Sequence, residues 1–308
     1  MQTADPHFLK SPLSKEEKNE LPKESSSKDY FILLKPKVMS LVIFTAFAGM
    51  WVAPGFTDMH PLLIFTGILS LAIGAGAAGA INMWYDRDID AVMTRTKNRP
   101  VPLGKVPAPE ALSLGIVLSF LSVLTMGVAL NWIAAGILTF SIVFYGLIYT
   151  VWLKRSTPQN IVIGGAAGAF PPMIGWVCVT GTIDIFSVLL FMIIFLWTPP
   201  HFWALSLYAN EDYKKANIPM LPCVAGERMT KIQMLVYTLI LLPVTIAPYA
   251  LGYTGMGYGI CACALSLFFI FTAWRTLLDP SHKSAKLMFG YSIFYLFALF
   301  LGLMIDAT

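Results

Sequence analysis

Long apolar runs alternate with shorter polar connections along the sequence after residue 35. A helix needs roughly 20 apolar residues to cross the hydrocarbon core of a bilayer. Nine runs have about that length and are bounded by turn residues or charge, and they predict spans over residues 38–54, 61–83, 111–130, 133–153, 159–180, 185–205, 231–252, 256–278 and 287–305. The pattern therefore predicts an all-α membrane protein, a bundle of nine transmembrane helices, with residues 36–308 as one integral membrane domain.

Composition and charge agree with a membrane protein and predict its orientation. The chain is 57% hydrophobic and 12% charged, whereas soluble domains carry about 25% charged residues. All 21 Lys and Arg residues fall in the N-terminal tail, in connections after even-numbered spans, or at the span ends that border those connections. Because basic connections remain on the cytoplasmic side, we expect a cytoplasmic N-terminus and an external C-terminus. The net charge of +4 then reflects orientation, and we expect no nucleic-acid partner.

The first 35 residues are polar and rich in Ser, Lys and Glu. They lack the apolar stretch of a signal peptide, and they are not Arg-rich and acid-poor as transit peptides are. We predict that residues 1–35 form a disordered cytosolic tail. This composition favours the plasma membrane of a bacterium over a mitochondrial membrane.

The densest group of acidic residues lies where the second predicted span ends. Asn82, Asp86 and Asp90 are four residues apart, so they share one face of a helix, whereas Asp88 points elsewhere. Carboxylate and amide oxygens suit Mg²⁺, which binds proteins through one or two carboxylates together with substrate phosphates. A solvated helix end that is merely acidic is the alternative. We expect these three residues to hold Mg²⁺ and to be needed for catalysis.

A second acidic pair follows the sixth predicted span on the same side of the membrane. Glu211 and Asp212 lie in the connection 206–230, which corresponds to the connection 84–110 after the second span. The two connections suggest two half-sites that face one another. The pair is therefore predicted to bind a metal ion or to hold the other side of a bound diphosphate. An ordinary charged loop is the alternative for this pair alone.

Basic side chains near the acidic groups have the chemistry to bind a departing diphosphate. Arginine pairs with phosphate oxygens through two hydrogen bonds, and lysine offers a point charge. The expected diphosphate-binding residues are Arg95, Lys97, Arg99, Lys154 and Arg155. Arg95 and Lys154 are also expected to act in catalysis. Membrane topology is the competing explanation for each of them, because cytoplasmic connections are basic in any case.

One histidine lies within a predicted span. His201 follows two prolines near the end of the sixth span, and an ionisable residue inside a membrane is by default a candidate for a functional role. Since neutral imidazole is a common metal ligand, His201 is a candidate ligand for a haem iron. Alternatively, it hydrogen-bonds a backbone carbonyl that Pro199 and Pro200 leave without a donor.

Three segments carry a resemblance to a known family. They are NMWYDRDIDAVMTRTKNRPVP at 82–102, KRSTPQNIVIGG at 154–165 and HFWALSLYANEDY at 201–213. The first is similar to the Asp-rich motif of the UbiA superfamily of intramembrane prenyltransferases, and the other two are typical of its haem O synthase branch. The resemblance covers roughly residues 30–305. Asn217 stands where Gly is common in the family, and Asn also tolerates the left-handed backbone.

The resemblance implies a nine-helix bundle with a central cavity open to the cytosol and to the lipid. It implies an Mg²⁺-dependent enzyme that transfers a farnesyl group from farnesyl diphosphate to a vinyl group of haem B (protohaem IX), giving haem O for terminal oxidases. It assigns metal and diphosphate binding to Asn82, Asp86 and Asp90, with Glu211 and Asp212 in a second motif whose first Asp position is not clearly filled. Besides the lipid bilayer, the implied partners are haem A synthase and oxidase assembly proteins.

Two other functions fit part of the sequence. Another prenyltransferase of this type would act on an aromatic acid such as 4-hydroxybenzoate. A transporter would also be a polytopic bundle, but transporters tend to place their polar site near the membrane midplane. Here the acids lie at one interface and the span interiors hold almost no charge, which favours an enzyme that acts on an amphiphile.

Overall fold

The computed structural model describes residues 25–306, so residues 1–24 of the predicted tail lie outside the described residues. Thirteen α-helices and no strand occur in the described range. The helices are α1 (Ser27–Leu33), α2 (Pro36–Trp51), α3 (Pro61–Tyr85), α4 (Arg87–Val92), α5 (Ala108–Ala129), α6 (Trp132–Ser156), α7 (Asn160–Thr180), α8 (Ile185–Tyr208), α9 (Asn210–Lys215), α10 (Leu221–Val224), α11 (Gly226–Ala250), α12 (Met256–Leu278) and α13 (Lys283–Asp306).

Nine segments of the described chain have the length and composition of membrane spans, as predicted. Eight are single helices of 21 to 25 residues, and the ninth is the pair α1 and α2, which is bent by 57°. The largest difference from the predicted limits is at the first span, which begins with α1 at Ser27 rather than at residue 38. Among the single helices the largest difference is at α11, which begins at Gly226 rather than at residue 231. Its first turn carries Glu227 and Arg228, so the apolar pattern starts later than the helix. The protein is an all-α, multi-pass membrane protein.

The segment before α2 is helical, although the sequence predicts a disordered tail there. The Ser26 hydroxyl accepts a hydrogen bond from the Asp29 backbone N–H, and the Asp29 carboxylate accepts one from the Ser26 backbone N–H. This capping box satisfies two donors at the start of α1. Leu33, in the last turn, is fully buried. Local capping and burial together therefore order residues 27–33, which differ in this respect from the prediction.

Glycines allow two spans of the bundle to touch through their backbones. A Cβ at Gly49 of α2 would lie 2.1 Å from the carbonyl oxygen of Pro172 in α7, and a Cβ at Gly175 of α7 would lie 2.0 Å from that of Ala46. Neither distance is possible for a real side chain, so only glycine permits this approach. Small residues commonly mediate such packing between membrane helices.

The two long connections pack against each other at one end of the bundle. Ile89 and Met93 of the first connection share an apolar cluster with Tyr213, Ile218 and Met220 of the second. The connections contain the short helices α4, which carries Asp90, and α9, which carries Glu211 and Asp212. We call this end of the bundle, where α3 and α8 terminate, the loop end.

Candidate active site

The predicted stripe of oxygen ligands is buried at the loop end of α3. Asn82, Asp86 and Asp90 are 3%, 0% and 1% exposed, whereas the side chain of Asp88 is 60% exposed. Backbone hydrogen bonds from Asp86 to Asn82 (2.9 Å) and from Asp90 to Asp86 (2.8 Å) continue the helical path from α3 into α4. The predicted helical phase is therefore right, since the three stripe residues point inward and Asp88 points outward.

Each buried carboxylate is paired with a basic side chain from a distant part of the chain. Asp86 forms a salt bridge with Lys154 of α6 and accepts a hydrogen bond of 2.7 Å from Asn82 Nδ2. Asp90 accepts a hydrogen bond of 2.6 Å from the Arg99 guanidinium. Charge-assisted bonds of this kind are about twice as strong as neutral ones. The fold thus brings the stripe together with two of the predicted diphosphate-binding residues.

Arg155 connects the buried and the exposed members of the acidic group. Its guanidinium donates two hydrogen bonds of 2.7 Å to the Asp88 carboxylate and lies 3.6 Å from Asp86 Oδ1. These hydrogen bonds from Arg155 lower the pKa of Asp88 to about 2. Asp88 is therefore charged at neutral pH and holds Arg155 beside the stripe.

Sequence reasoning missed Lys35, whose ammonium group contacts the stripe. It donates hydrogen bonds to Asn82 Oδ1 at 2.5 Å and to the Tyr145 hydroxyl at 3.3 Å. Lys35 has a left-handed backbone (φ 53°) between α1 and α2, and its side chain lies along Gly79 of α3, where a Cβ would come within 3.3 Å. The signal available in the sequence is a lysine placed directly before Pro36, at the edge of an apolar span.

A π-helical segment in the second half of α6 contributes the other side of this polar cluster. Asn82 Nδ2 donates a hydrogen bond of 3.0 Å to the Thr150 hydroxyl. The rings of Tyr145 and Tyr149 stack with their centroids 5.5 Å apart. Tyr149 lies so close to α7 that a Cβ at Gly164 would be 2.1 Å from its ring. π-Helical turns are frequent at functional sites, and this one places two aromatic rings next to the stripe.

The second acidic pair does not join the buried stripe. Asp212 accepts a hydrogen bond of 2.9 Å from the Thr94 hydroxyl, which ties α9 to the first long connection. The Glu211 side chain is 78% exposed and pairs with Lys214 at 3.1 Å. Within residues 25–306, no group of three or more His, Cys, Asp or Glu residues is arranged to hold a metal ion. Metal binding by Glu211 and Asp212 therefore stays a prediction.

The last two predicted diphosphate-binding residues, Arg95 and Lys97, are exposed on the first long connection. Arg95 lies near Tyr213 of α9. Burial raises the pKa of Tyr213, although the positive charge of Arg95 acts to lower it, so the phenol is neutral at physiological pH. Arg95 thus lies at the seam between the two connections, and diphosphate binding by Arg95 and Lys97 stays a prediction.

The buried oxygens of the stripe fit a hard divalent cation. Asp86 Oδ1 is buried and has no hydrogen-bond partner among residues 25–306, and an unsatisfied buried acceptor costs about 1–3 kcal/mol. Asp90 and Asn82 add a second carboxylate and an amide oxygen on the same face. Such a set of oxygen ligands is the kind that Mg²⁺ binds in combination with substrate phosphates.

His201 lies on α8 and pairs with α13. Its Nδ1 is 2.6 Å from the Ser292 hydroxyl. The imidazole stacks on Trp197 with centroids 4.3 Å apart and planes 18° apart, and on Phe289 at 4.7 Å and 22°. The partner of His201 is therefore a hydroxyl of a neighbouring span rather than a carbonyl beside the two prolines.

Comparison with known proteins gives the family of this chain. The model of the UbiA prenyltransferase family matches residues 42–300. The chain belongs to this family. A relative named protoheme IX farnesyltransferase, from Rhizobium johnstonii, is 58% identical over 288 residues, which cover 92% of this chain and 90% of the relative. Protoheme IX farnesyltransferase 2 of Mesorhizobium japonicum is 57% identical, with 92% and 91% covered.

Solved structures share the fold of this UbiA family member at low sequence identity. A digeranylgeranylglyceryl phosphate synthase superposes with a TM-score of 0.77 at 20% identity, covering 91% of this chain and 98% of the synthase. A UbiA homolog from Archaeoglobus fulgidus, bound to GPP and Mg²⁺, gives a TM-score of 0.65 at 17% identity, with 89% and 99% covered. The predicted fold, a helical bundle of the UbiA prenyltransferase type, is confirmed.

In this UbiA prenyltransferase, His201 and the acidic stripe are linked by one apolar layer. Phe202 lies edge-on to the His201 ring at 5.3 Å. Phe202 also packs against the cluster of the two long connections, which includes Ile89 and Tyr213. Since Ile89 directly precedes Asp90 in α4, this apolar layer connects the surroundings of His201 with the helix that carries Asp90.

Proposed function

We propose that this protein is an Mg²⁺-dependent haem O synthase, which transfers a farnesyl group from farnesyl diphosphate to a vinyl group of haem B. The relatives named protoheme IX farnesyltransferase, 57% and 58% identical over 92% of the chain, support this choice of substrates. The observation that carries the proposal is that Asn82, Asp86 and Asp90 form a buried face surrounded by basic side chains. This face occurs in a chain that is 57% and 58% identical to those relatives.

The stripe and the basic residues around it would bind the diphosphate. Asn82, Asp86 and Asp90 would hold Mg²⁺, which when bound neutralises part of the diphosphate charge. Lys154 and Arg99 hold N–H groups at the two carboxylates, so they are placed to donate to diphosphate oxygens as well. Preorganised donors aimed at a charge that develops in the transition state are a major source of catalysis.

Other residues would complete the diphosphate site from its rim. Lys35 and Arg155 are held beside the stripe by Asn82 and Asp88, respectively. We propose that Arg95 and Lys97 bind the diphosphate from the first long connection. We also propose that Glu211 and Asp212 contribute a second metal site when the diphosphate is bound.

The reaction needs an allylic cation that is protected from premature capture by water. The C–O bond of farnesyl diphosphate breaks and its electron pair leaves with the diphosphate. The vinyl carbon of haem B supplies the electrons for the new C–C bond, and water then adds to the adjacent carbon and loses a proton, giving a hydroxyethylfarnesyl group. The stacked rings of Tyr145 and Tyr149 lie next to the stripe, where their faces can stabilise a cation.

Haem B is expected between α8 and α13, with His201 as the ligand of its iron. We place the protein in a bacterial plasma membrane, with the N-terminus in the cytoplasm and the C-terminus outside. The loop end then faces the cytosol, from which the stripe is reached by farnesyl diphosphate. Haem A synthase and oxidase assembly proteins are the proposed recipients of the product.

A reconstituted reaction tests the proposed function. The purified protein in lipid nanodiscs is incubated with haem B, farnesyl diphosphate and Mg²⁺, and the pigment is analysed by mass spectrometry. We expect haem O, and we expect its formation to stop when EDTA removes the metal. Replacing haem B by 4-hydroxybenzoate is the control for the other type of acceptor. Prenylation of that acid, with haem B left unchanged, would overturn the proposal.

Cysteine labelling tests the proposed orientation. Single cysteines at Lys97 and Lys214 should react with an impermeant maleimide only after the cells are opened. Cysteines at Asp58 and Asp184, which lie in short connections at the opposite end of the bundle, should react in intact cells. The reverse pattern would place the stripe on the outside, away from cytosolic diphosphates.

A further inference from the structure

The hydrogen bonds around Ser292 determine which nitrogen of His201 carries the proton. The Ser292 hydroxyl lies 2.6 Å from the Phe289 carbonyl oxygen and 2.6 Å from His201 Nδ1. A carbonyl oxygen can only accept, and the Ser292 hydroxyl is oriented to donate its single proton to this one. The serine oxygen can then only accept from the histidine, which requires a proton on Nδ1. In a neutral imidazole, the lone pair is therefore on Nε2.

The ring is also held in one orientation. Trp197 and Phe289 cover its two faces, with centroids at 4.3 and 4.7 Å. The Trp197 indole N–H donates a hydrogen bond of 2.8 Å to the backbone carbonyl of Ser292, which fixes α8 against α13 at the same residue. Only the edge that carries Nε2 is left, and Nε2 has no hydrogen-bond partner among residues 25–306. His201 is partly buried, and Nε2 is the ring nitrogen left for a ligand.

We propose that Ser292 is a positioning residue, which holds His201 in the tautomer and orientation whose Nε2 binds the iron of haem B. The inference rests on the proposed function, since haem B is the substrate there. Ligating histidines commonly donate their second N–H to a nearby acceptor, which fixes the tautomer and strengthens the ligand. Ser292 provides that acceptor here, and its own proton is taken by Phe289, so the pair cannot switch roles without breaking a hydrogen bond.

Three variants separate positioning from simple packing. Ser292→Ala removes the acceptor, Ser292→Thr keeps a hydroxyl, and Ser266→Ala is the matched control. Ser266 is a buried serine of α12 whose hydroxyl bonds Thr245 and Tyr295, so its loss disturbs the bundle without touching His201. Each protein is loaded with haem B in nanodiscs. Haem affinity is measured by absorption titration, and the iron–histidine stretch of the ferrous form is measured by resonance Raman spectroscopy.

Ser292→Ala should weaken haem binding by about 10-fold or more and lower the iron–histidine frequency. Ser292→Thr should restore both, and Ser266→Ala should leave the frequency unchanged even if it lowers thermal stability. His201→Ala should abolish the band. An unchanged frequency in Ser292→Ala, or a band that survives in His201→Ala, would overturn the inference.

Product formation keeps this inference separate from the proposed function. A wild-type protein that makes haem O but shows no histidine-bound iron overturns the role of Ser292 and leaves farnesyl transfer standing. A protein that binds haem B through His201 but makes no haem O supports the positioning role and overturns the proposed transfer.

Discussion

The salt bridge between Lys154 and Asp86 allows structural and functional roles of the stripe to be separated. Asp86 is fully buried and the Lys154 side chain is 16% exposed. Lys154→Met would leave a buried carboxylate with one amide donor, Asn82 at 2.7 Å, and with Arg155 at 3.6 Å. Breaking a buried pair costs about 3–5 kcal/mol. Because two partners of Asp86 remain, we expect a loss of about 3 kcal/mol, the low end of that range.

The double variant Asp86→Asn/Lys154→Met should regain most of this stability. It removes both charges, so no buried charge is left unpaired, and replacing a buried ion pair by neutral groups is often close to neutral for stability. Activity should not recover, because the proposed metal ligand and the proposed diphosphate donor are both absent. Loss of one preorganised electrostatic group already costs roughly 100- to 1000-fold in turnover.

Equilibrium unfolding in detergent measures the stabilities, and haem O formation measures the activities. Lys214→Met is the control, because its salt bridge to Glu211 lies at the surface, with side chains 51% and 78% exposed. Such a pair contributes at most about 1 kcal/mol. If Lys154→Met were as stable as the control variant, the buried pair would not stabilise the fold. If the double variant regained activity, the stripe would not be the catalytic site.

Three further variants test other parts of the site. Asp88→Asn should reduce haem O formation by less than about tenfold, because it weakens only a partly exposed pair with Arg155. An effect as large as that of Asp86→Asn would show that the outward position of Asp88 does not matter. Lys35→Gln should raise the KM for farnesyl diphosphate by about 10-fold, which is the contribution of one charge-assisted hydrogen bond. An unchanged KM would show that Lys35 does not bind the diphosphate. Gly164→Ala would place a Cβ 2.1 Å from the Tyr149 ring, and it should lower the free energy of unfolding by about 1–3 kcal/mol. Wild-type stability would mean that this ring moves freely.

Patterns that repeat along one helix were predictable, whereas contacts between distant segments were not. The left-handed backbone of Asn217 (φ 52°) agrees with the expectation for that turn. Periodicity identifies the spans and the shared face of Asn82, Asp86 and Asp90. It cannot show that Lys154 and Asp86, 68 residues apart, form a salt bridge. Lys35 was missed for the same reason, since its contact with Asn82 depends on the bend between α1 and α2.

The balance of charge at the stripe explains how one cluster could serve both the metal and the diphosphate. Four basic side chains contact three carboxylates and one amide there. Unpaired positive charge at a partly buried site is unfavourable, so the cluster is electrostatically suited to receive an anion. A diphosphate gives these cations strong new acceptors. The oxygens that they release would then be available to Mg²⁺, together with Asp86 Oδ1, which accepts no hydrogen bond within residues 25–306. The basic side chains would therefore help to form the metal site by exchanging their bonds to the carboxylates for bonds to the diphosphate.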